Sequence, residues 1–296
     1  MAGAGLRQPG ATGLKSEPVS LGTFAGLRWR QGEMRVLALH GWLDNAHSFL
    51  PLAPTLDGLD LVALDFPGHG LSAARPAGVR YHFDDYVFDV LETLDALGWD
   101  RACLLGHSLG GAVASITAAA APERIDALAL IEGLGPLSSP VGNAADNWRK
   151  AVTRSAERPR RVHADREAAA TARAANSDLG LEAARLLAER GTVEVEGGVS
   201  WQHDQRLTWP SAHRYTEPQV LELLSAIQCP VLSIHAEPRG SVVPESLARR
   251  RFAALPQRQG LGLAGGHHLH MHHPDRIGPA IKEHFQHHGP SPTDSR

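Results

Sequence analysis

Short runs of consecutive apolar residues recur in the first half of the chain and again in its last third. Uninterrupted apolarity over four to seven residues is typical of strands that are buried on both faces, as in a parallel sheet. Polar or glycine-rich segments follow each run. The sequence therefore predicts buried strands at Val36–Leu39, Leu61–Leu64, Ala102–Leu105, Ile125–Ile131, Val231–Ile234 and Gly260–Leu263.

Segments with apolar residues at helical spacing lie between these runs. They predict helices over Asn45–Leu56, Phe83–Leu97, a stretch beginning at Leu109, Glu217–Ile227, about Pro244–Leu255 and Ile277–Phe285. An alternation of strands and helices is the pattern of an α/β protein with a doubly wound, mostly parallel sheet. Val19–Trp29 alternates loosely and predicts an opening strand at the sheet edge.

The alternation stops after Glu132, and residues 135–215 are rich in Ala, Arg and Glu. Helical stretches are expected there at Ala164–Ala175 and Leu179–Arg190, the second closed by Gly191. We predict a helical cap inserted into a core formed by residues 17–134 and 216–288; an ordinary long crossover with helices is the alternative. Residues 1–16 and 289–296 have the composition of flexible tails.

Composition narrows the choice of partner. The chain has 296 residues, 43% of them hydrophobic, and a formal net charge of -3, which argues against binding to nucleic acid or to an acidic membrane. Its two cysteines, Cys103 and Cys229, lie in or beside apolar runs and form no C-x-x-C motif, and no window is apolar enough for membrane insertion. We predict a soluble, cytoplasmic protein that acts on a small molecule.

The strand at Ala102–Leu105 ends in Gly106-His107-Ser108-Leu109-Gly110, a G-x-S-x-G motif. Glycines two residues before and after the serine leave room for a tight turn from strand to helix. Such a turn exposes the serine hydroxyl near the first turn of a helix, where unpaired N–H groups favour a developing negative charge. Ser108 is the predicted nucleophile.

A serine nucleophile needs a base and an oxyanion site. Reactive groups of α/β sheets collect at the carboxyl ends of the strands, and His267 is the first residue after the glycines that follow the last predicted strand. We predict that His267 is the base. The N–H of Leu109 and that of Trp42, in the loop after Val36–Leu39, are the predicted oxyanion donors.

Five histidines between His267 and His273 allow a second interpretation as metal ligands, and His268 and His272 share a helical face. However, the segment has no H-E-x-x-H motif and directly follows two glycines at a strand end. The sequence therefore favours no metal site here, with the histidines other than His267 at a helix start or on the surface.

With these motifs the chain resembles the α/β-hydrolase family, and within it the serine hydrolase-like proteins. The resemblance implies an eight-stranded, mostly parallel sheet, a helical cap, a serine nucleophile and no cofactor. It covers nearly the whole chain outside the tails. The matching segments are His40–Asn45, Asp65–Ser72, Gly106–Gly111, Asp204–Leu207, and His267 with His270, Met271 and Pro274.

The catalytic acid departs from the pattern of that family, which usually supplies an Asp after the strand that is Val231–Ile234 here. This chain has Ala236-Glu237-Pro238 and no Asp in that loop. Some capped relatives take the acid from the end of the preceding strand, where Glu132 stands. We predict Glu132 as the acid, with Glu237 as the alternative.

Together these features predict a serine hydrolase that cleaves an ester or related acyl bond of a small, mostly apolar substrate through an acyl-enzyme. A serine at the elbow argues against a dehalogenase or an epoxide hydrolase, which use Asp there. The alternative is a non-catalytic ligand-binding or scaffold protein on the same fold.

Overall fold

The computed structural model describes residues 15–156, 158–238 and 243–289. The predicted tails fall almost entirely outside the described residues, as do residues 239–241, which follow Glu237 and Pro238 in the sequence. The described part of the chain contains no helix that is both long and apolar enough to cross a membrane.

The described residues form a central sheet of eight strands and a separate two-stranded hairpin. The strands, in chain order, are β1 (Glu17–Leu21), β2 (Phe24–Arg30), β3 (Met34–Leu39), β4 (Leu59–Asp65), β5 (Ala102–His107), β6 (Ile125–Ile131), β7 (Thr192–Val195), β8 (Gly198–Trp201), β9 (Val231–Glu237) and β10 (Arg258–Ala264). The order in the sheet is β1-β2-β4-β3-β5-β6-β9-β10. The strands from β4 to β10 in that order run parallel, while β1 and β2 pair antiparallel. The prediction of a mostly parallel eight-stranded sheet is confirmed.

Helices cover both faces of this sheet. The α-helices of the described residues are α1 (Asp85–Ala96), α2 (Leu109–Ala120), α3 (Ala144–Thr153), α4 (Arg166–Ala174), α5 (Gly180–Gly191), α6 (Glu217–Ser225), α7 (Glu245–Ala254), α8 (Leu269–His272) and α9 (Pro274–His288). Apolar side chains of α1, α2 and α6 form one core with the sheet, and those of α9 form a second core on the other face. Burial on both faces explains why the strands have continuous apolar sequences.

Two local predictions were wrong. The helix expected over Asn45–Leu56 consists of two short 3-10 helices, Ala46–Phe49 and Ala53–Thr55. Pro51 and Pro54 explain the difference, since proline lacks the N–H that a continuous α-helix would use. The opening strand expected over Val19–Trp29 is instead a hairpin of β1 and β2, which turns at Gly22 with a φ of +64°.

Residues 135–215, called the insert below, separate β6 from α6. The insert contains α3, α4 and α5, the β7–β8 hairpin and two 3-10 helices, Val141–Asn143 and Gln205–Thr208. Helices α4 and α5 share a small apolar core of their own that includes Leu179, Ala184 and Leu187.

Candidate active site

The turn between β5 and α2 places Ser108 at the edge of the sheet. Ser108 has a left-handed backbone, with φ of +51° and ψ of -110°, a conformation that costs energy for a residue with a side chain. The turn is so tight that a Cβ at Gly106 would lie 2.6 Å from the backbone of Gly110. A Cβ at Gly110 would lie 2.0 Å from the Leu39 carbonyl oxygen. The two glycines therefore allow the close approach that the motif predicted.

His267 lies directly beside this serine. Its Nε2 is 2.8 Å from the Ser108 Oγ, which is hydrogen-bonding distance. Two further contacts hold the backbone of His267: its N–H donates to Asp178 Oδ2, and its carbonyl accepts from His107 Nε2 at 3.0 Å. The backbone that carries the imidazole is thus held by Asp178 of the insert and by His107, the residue before the serine.

Glu132 lies on the other side of the same imidazole. One carboxylate oxygen, Oε2, is 3.4 Å from His267 Nδ1, and the other, Oε1, accepts the N–H of Ala236 at 2.6 Å. Burial alone would raise the pKa of the Glu132 carboxyl, but the hydrogen bonds from His267 and Ala236 outweigh it and hold the pKa below its ordinary value. Glu132 is therefore a carboxylate at neutral pH.

Glu237, the alternative acid, lies elsewhere. Its side chain is 64% exposed, with Oε1 3.7 Å from His235 Nε2. A Cβ at Gly262 of β10 would lie 2.0 Å from the same oxygen, so the Glu237 carboxylate rests on the neighbouring strand. Within the described residues no hydrogen bond or ion pair joins Glu237 to His267.

The two loops that carry the predicted oxyanion donors are joined to each other. The N–H of Gly110, in the first turn of α2, donates to the His40 carbonyl at 3.1 Å, which fixes the Trp42 loop against the helix that begins at Leu109. An N–H at the first position of a helix has no acceptor inside that helix. The Trp42 indole donates to the Leu207 carbonyl of the insert at 3.1 Å.

Two of the histidines after His267, His268 and His270, are more buried than the sequence indicated. His268 and His270 were expected at a helix start or on the surface, and they do begin α8, but both are buried. His270 Nε2 lies 3.0 Å from the Ser48 hydroxyl. The loop and the 3-10 helix after β3 cover the segment that contains His268 and His270. Ser48 and His270 are 222 positions apart, and a local pattern of apolar residues does not predict a contact over that separation.

The structure adds three polar residues that the sequence had not singled out as site residues: Asp44, His107 and Asp178. Asp44 Oδ2 lies 3.4 Å from His268 Nε2 and 3.6 Å from His107 Nδ1, and Asp178 Oδ1 lies 3.3 Å from His268 Nδ1. Burial lowers the pKa of His107 to about 4. Burial also opposes charge on His268, yet the two carboxylates raise its pKa above the ordinary value. Asp44 belongs to the matching segment His40–Asn45, which was the available signal.

Several insert residues bind loops at the carboxyl ends of the parallel strands. Arg190 of α5 forms a buried ion pair with Asp65, at 2.7 Å between Nη2 and Oδ2, and Arg173 of α4 pairs with Asp44 at 2.7 Å. Near the other end of the insert, the N–H of Asp204 donates to the Gly68 carbonyl at 2.9 Å. The insert therefore packs against the same edge of the sheet as Ser108.

Comparison with known proteins agrees with this fold. The model of a family described by its α/β-hydrolase fold matches residues 35–274. The chain is 32% identical to a serine hydrolase-like protein of Danio rerio, over 94% of this chain and 90% of that protein, and 31% identical to serine hydrolase-like protein 2 of Homo sapiens, over 95% and 97%. A crystal structure of a hypothetical protein from Pseudomonas aeruginosa PAO1 superposes with a TM-score of 0.79 at 40% identity, over 91% of this chain and 97% of that one. The chain belongs to the α/β-hydrolase family.

Proposed function

We propose that this protein is a serine hydrolase that cleaves an ester or related acyl bond through an acyl-enzyme, with Ser108 as nucleophile, His267 as base and Glu132 as acid. The observation that carries the proposal is the continuous contact from the Ser108 hydroxyl through both nitrogens of His267 to Glu132, at 2.8 Å and 3.4 Å. The same three roles, in this geometry, recur in serine hydrolases of unrelated folds.

The first half of the reaction forms the acyl-enzyme. His267 Nε2 takes the hydroxyl proton while Ser108 Oγ bonds to the carbonyl carbon, and the carbonyl electrons move onto its oxygen. The N–H groups of Leu109 and Trp42 stabilise that oxyanion. When the tetrahedral intermediate collapses, the bond to the leaving oxygen breaks, and the His267 proton passes to the departing alcohol.

The second half repeats these steps with water. His267 removes a proton from the water as its oxygen bonds to the acyl carbon, and then returns a proton to Ser108 Oγ as the acid product leaves. Glu132 keeps the proton of His267 on Nδ1 and stabilises the imidazolium in both halves. Its ionised state at neutral pH suits this role.

The residues around the serine support a small, mostly apolar substrate. Leu43, Leu109 and Leu134 are partly buried at the carboxyl ends of the strands, and the Trp42 side chain is 52% exposed. We further propose that the insert is a cap over this site, because Asp178, Arg190 and Leu207 all contact loops that border it. Cytoplasmic location stays a prediction, supported by the buried and unpaired Cys103 and Cys229.

Hydrolysis of short p-nitrophenyl esters tests the proposal. We expect turnover that Ser108→Ala lowers about a thousandfold or more. Ser115→Ala is a matched control, because its hydroxyl lies on the same helix and donates to the Gly111 carbonyl at 2.8 Å. Absence of turnover in the wild-type protein on esters and thioesters of graded chain length would favour the alternative of a non-catalytic binding protein.

A further inference from the structure

A buried cluster of Asp44, His107 and His268 lies next to the proposed catalytic residues, and none of the steps above uses it as an acid or base. The three side chains come from the loop after β3, the elbow before Ser108 and the loop after β10. One possible ligand atom of each residue lies within 4.8 Å of those of the other two, and Asp44 Oδ2 is 3.6 Å from His107 Nδ1 and 3.4 Å from His268 Nε2. All three residues are at least 90% buried.

The hydrogen bonds of His107 leave one nitrogen facing this cluster without a partner. A carbonyl oxygen only accepts, so the contact with the His267 carbonyl requires the proton of His107 on Nε2. Its Nδ1 then presents a lone pair toward Asp44 Oδ2 at 3.6 Å. In the described part of the chain, this buried Nδ1 has no hydrogen-bond partner. Two buried acceptors that face each other are unfavourable unless a cation or a hydrogen-bond donor lies between them.

His268, like His107, has one ring nitrogen facing Asp44 and the other facing a different oxygen. Its Nδ1 faces Asp178 at 3.3 Å and its Nε2 faces Asp44 Oδ2 at 3.4 Å. A metal-binding histidine usually donates its other ring N–H to a carboxylate or a backbone carbonyl. His268 has the carboxylate of Asp178 for this purpose, and His107 has the carbonyl of His267.

We propose that Asp44, His107 and His268 form a binding site for a divalent transition metal of the Zn²⁺ class. Tetrahedral zinc with bonds of about 2.0–2.1 Å places its ligand atoms roughly 3.4 Å apart. The separations of 3.4 Å and 3.6 Å from Asp44 Oδ2 are close to that value. Exogenous water completes the fourth position. These ligands differ from the pair that the sequence suggested, in which His268 and His272 share a helical face.

The charge and the space around the cluster are suited to a divalent metal ion. Arg173 binds Asp44 through the other oxygen, Oδ1, at 2.7 Å, so Oδ2 stays available. Asp44 and Asp178 together carry one more negative charge than Arg173 balances. A Cβ on Gly41 would lie 2.8 Å from both Asp44 Oδ2 and His107 Nδ1, so glycine leaves the space beside these atoms open.

Metal binding to the purified full-length protein tests the proposal. The protein is treated with a chelator and dialysed, then titrated with Zn²⁺ at about pH 8, because a metal binds the neutral form of an imidazole. We expect one Zn²⁺ per chain and, with Co²⁺ in its place, the intense visible absorption of a tetrahedral site. Asp44→Asn and His268→Gln should each weaken Zn²⁺ binding at least tenfold, with near-UV circular dichroism as the check on folding.

His273→Gln and His288→Gln are controls for binding by other histidines of the same region. Neither residue belongs to the cluster, and both variants should bind Zn²⁺ as the wild type does. The proposal is wrong if the wild type binds no Zn²⁺ at micromolar concentration. It is also wrong if Asp44→Asn and His268→Gln both bind normally, or if either control loses the metal. Since binding is read without substrate, the result is independent of whether the protein hydrolyses esters.

Discussion

Ser108 and Glu132, at the ends of the neighbouring strands β5 and β6, share a left-handed backbone, with φ of +51° and +52°. The N–H of Ser108 donates to the carbonyl of Ile131, the residue before Glu132, at 2.9 Å. Each such conformation costs about 1–3 kcal/mol in a residue with a side chain. Both of these strained residues contact His267 through their side chains, one on either side of the imidazole.

Gly133 allows these two turns to pack against each other, which gives the first prediction. A Cβ at position 133 would lie 2.3 Å from the Ser108 carbonyl oxygen. Gly133→Ala should therefore destabilise the protein by about 1–3 kcal/mol and lower kcat, because the backbone of Ser108 has to move. Urea unfolding and ester turnover measure the two effects. Gly142→Ala, where a Cβ meets no atom within 4 Å, is the control, and equal behaviour of the two variants would contradict this account.

The second prediction separates the two candidate acids. Glu132→Gln keeps an oxygen for the Ala236 N–H but removes the charge that stabilises the His267 imidazolium. We expect kcat to fall about 10³–10⁴-fold while the fold stays intact. Glu237→Gln should change kcat less than about twofold, because the carboxylate is exposed and contacts the far edge strand. A large loss in Glu237→Gln together with normal activity in Glu132→Gln would reverse the assignment.

These residues also show how far sequence reasoning reaches. The strands were predictable because burial on both faces gives continuous apolar runs, and the elbow was predictable because Gly106 and Gly110 flank Ser108 at fixed spacing. The choice of Glu132 over Glu237 rested on the resemblance to capped relatives that take the acid from the end of this strand, and Glu132 Oε2 lies 3.4 Å from His267 Nδ1.

Other features depend on contacts between distant parts of the chain. The ion pair of Asp65 with Arg190 joins residues 125 positions apart, and the hydrogen bond of His267 with Asp178 joins residues 89 apart. Neither has a local signature in the sequence. The helix expected over Asn45–Leu56 failed for a different reason, because the apolar spacing was given more weight than Pro51 and Pro54.

The buried ion pair of Asp65 and Arg190 gives the third prediction. Arg190→Leu leaves the Asp65 carboxylate buried without its cation, which should destabilise the protein by about 3 kcal/mol or more. The exposed pair of Arg149 and Asp146 is the control, and Arg149→Ala should change stability by less than about 0.5 kcal/mol. Urea titrations give the free energy of unfolding of the two variants for comparison. A small effect of Arg190→Leu would mean that the insert is not held to the core at this point.

The fourth prediction concerns acid stability. Burial, with a smaller effect from His288, lowers the pKa of His284 to about 4 from an ordinary value of 6.5. The unfolded chain therefore binds a proton more readily than the folded one, so stability due to this residue is present above pH 6.5 and is lost as the pH falls toward 4. His203 and His107 add to the same trend, each with a pKa of about 4.

Urea midpoints measured between pH 7.5 and 4.5 check this. His284→Gln should flatten the dependence on pH, since the variant has no imidazole to protonate at this site. His82→Gln, which changes an exposed histidine outside this helix, should leave the pH dependence as in the wild type. An unchanged slope in His284→Gln would show that the acid sensitivity arises elsewhere.

Ser108, as a nucleophile activated by His267, is the centre of the proposed mechanism. Reaction with a fluorophosphonate, followed by mass spectrometry of the peptides, tests this directly. We predict a single adduct on the peptide that contains Ser108, no adduct in Ser108→Ala, and labelling slowed at least a hundredfold in His267→Gln. An adduct on another serine, or labelling that persists in Ser108→Ala, would contradict the account.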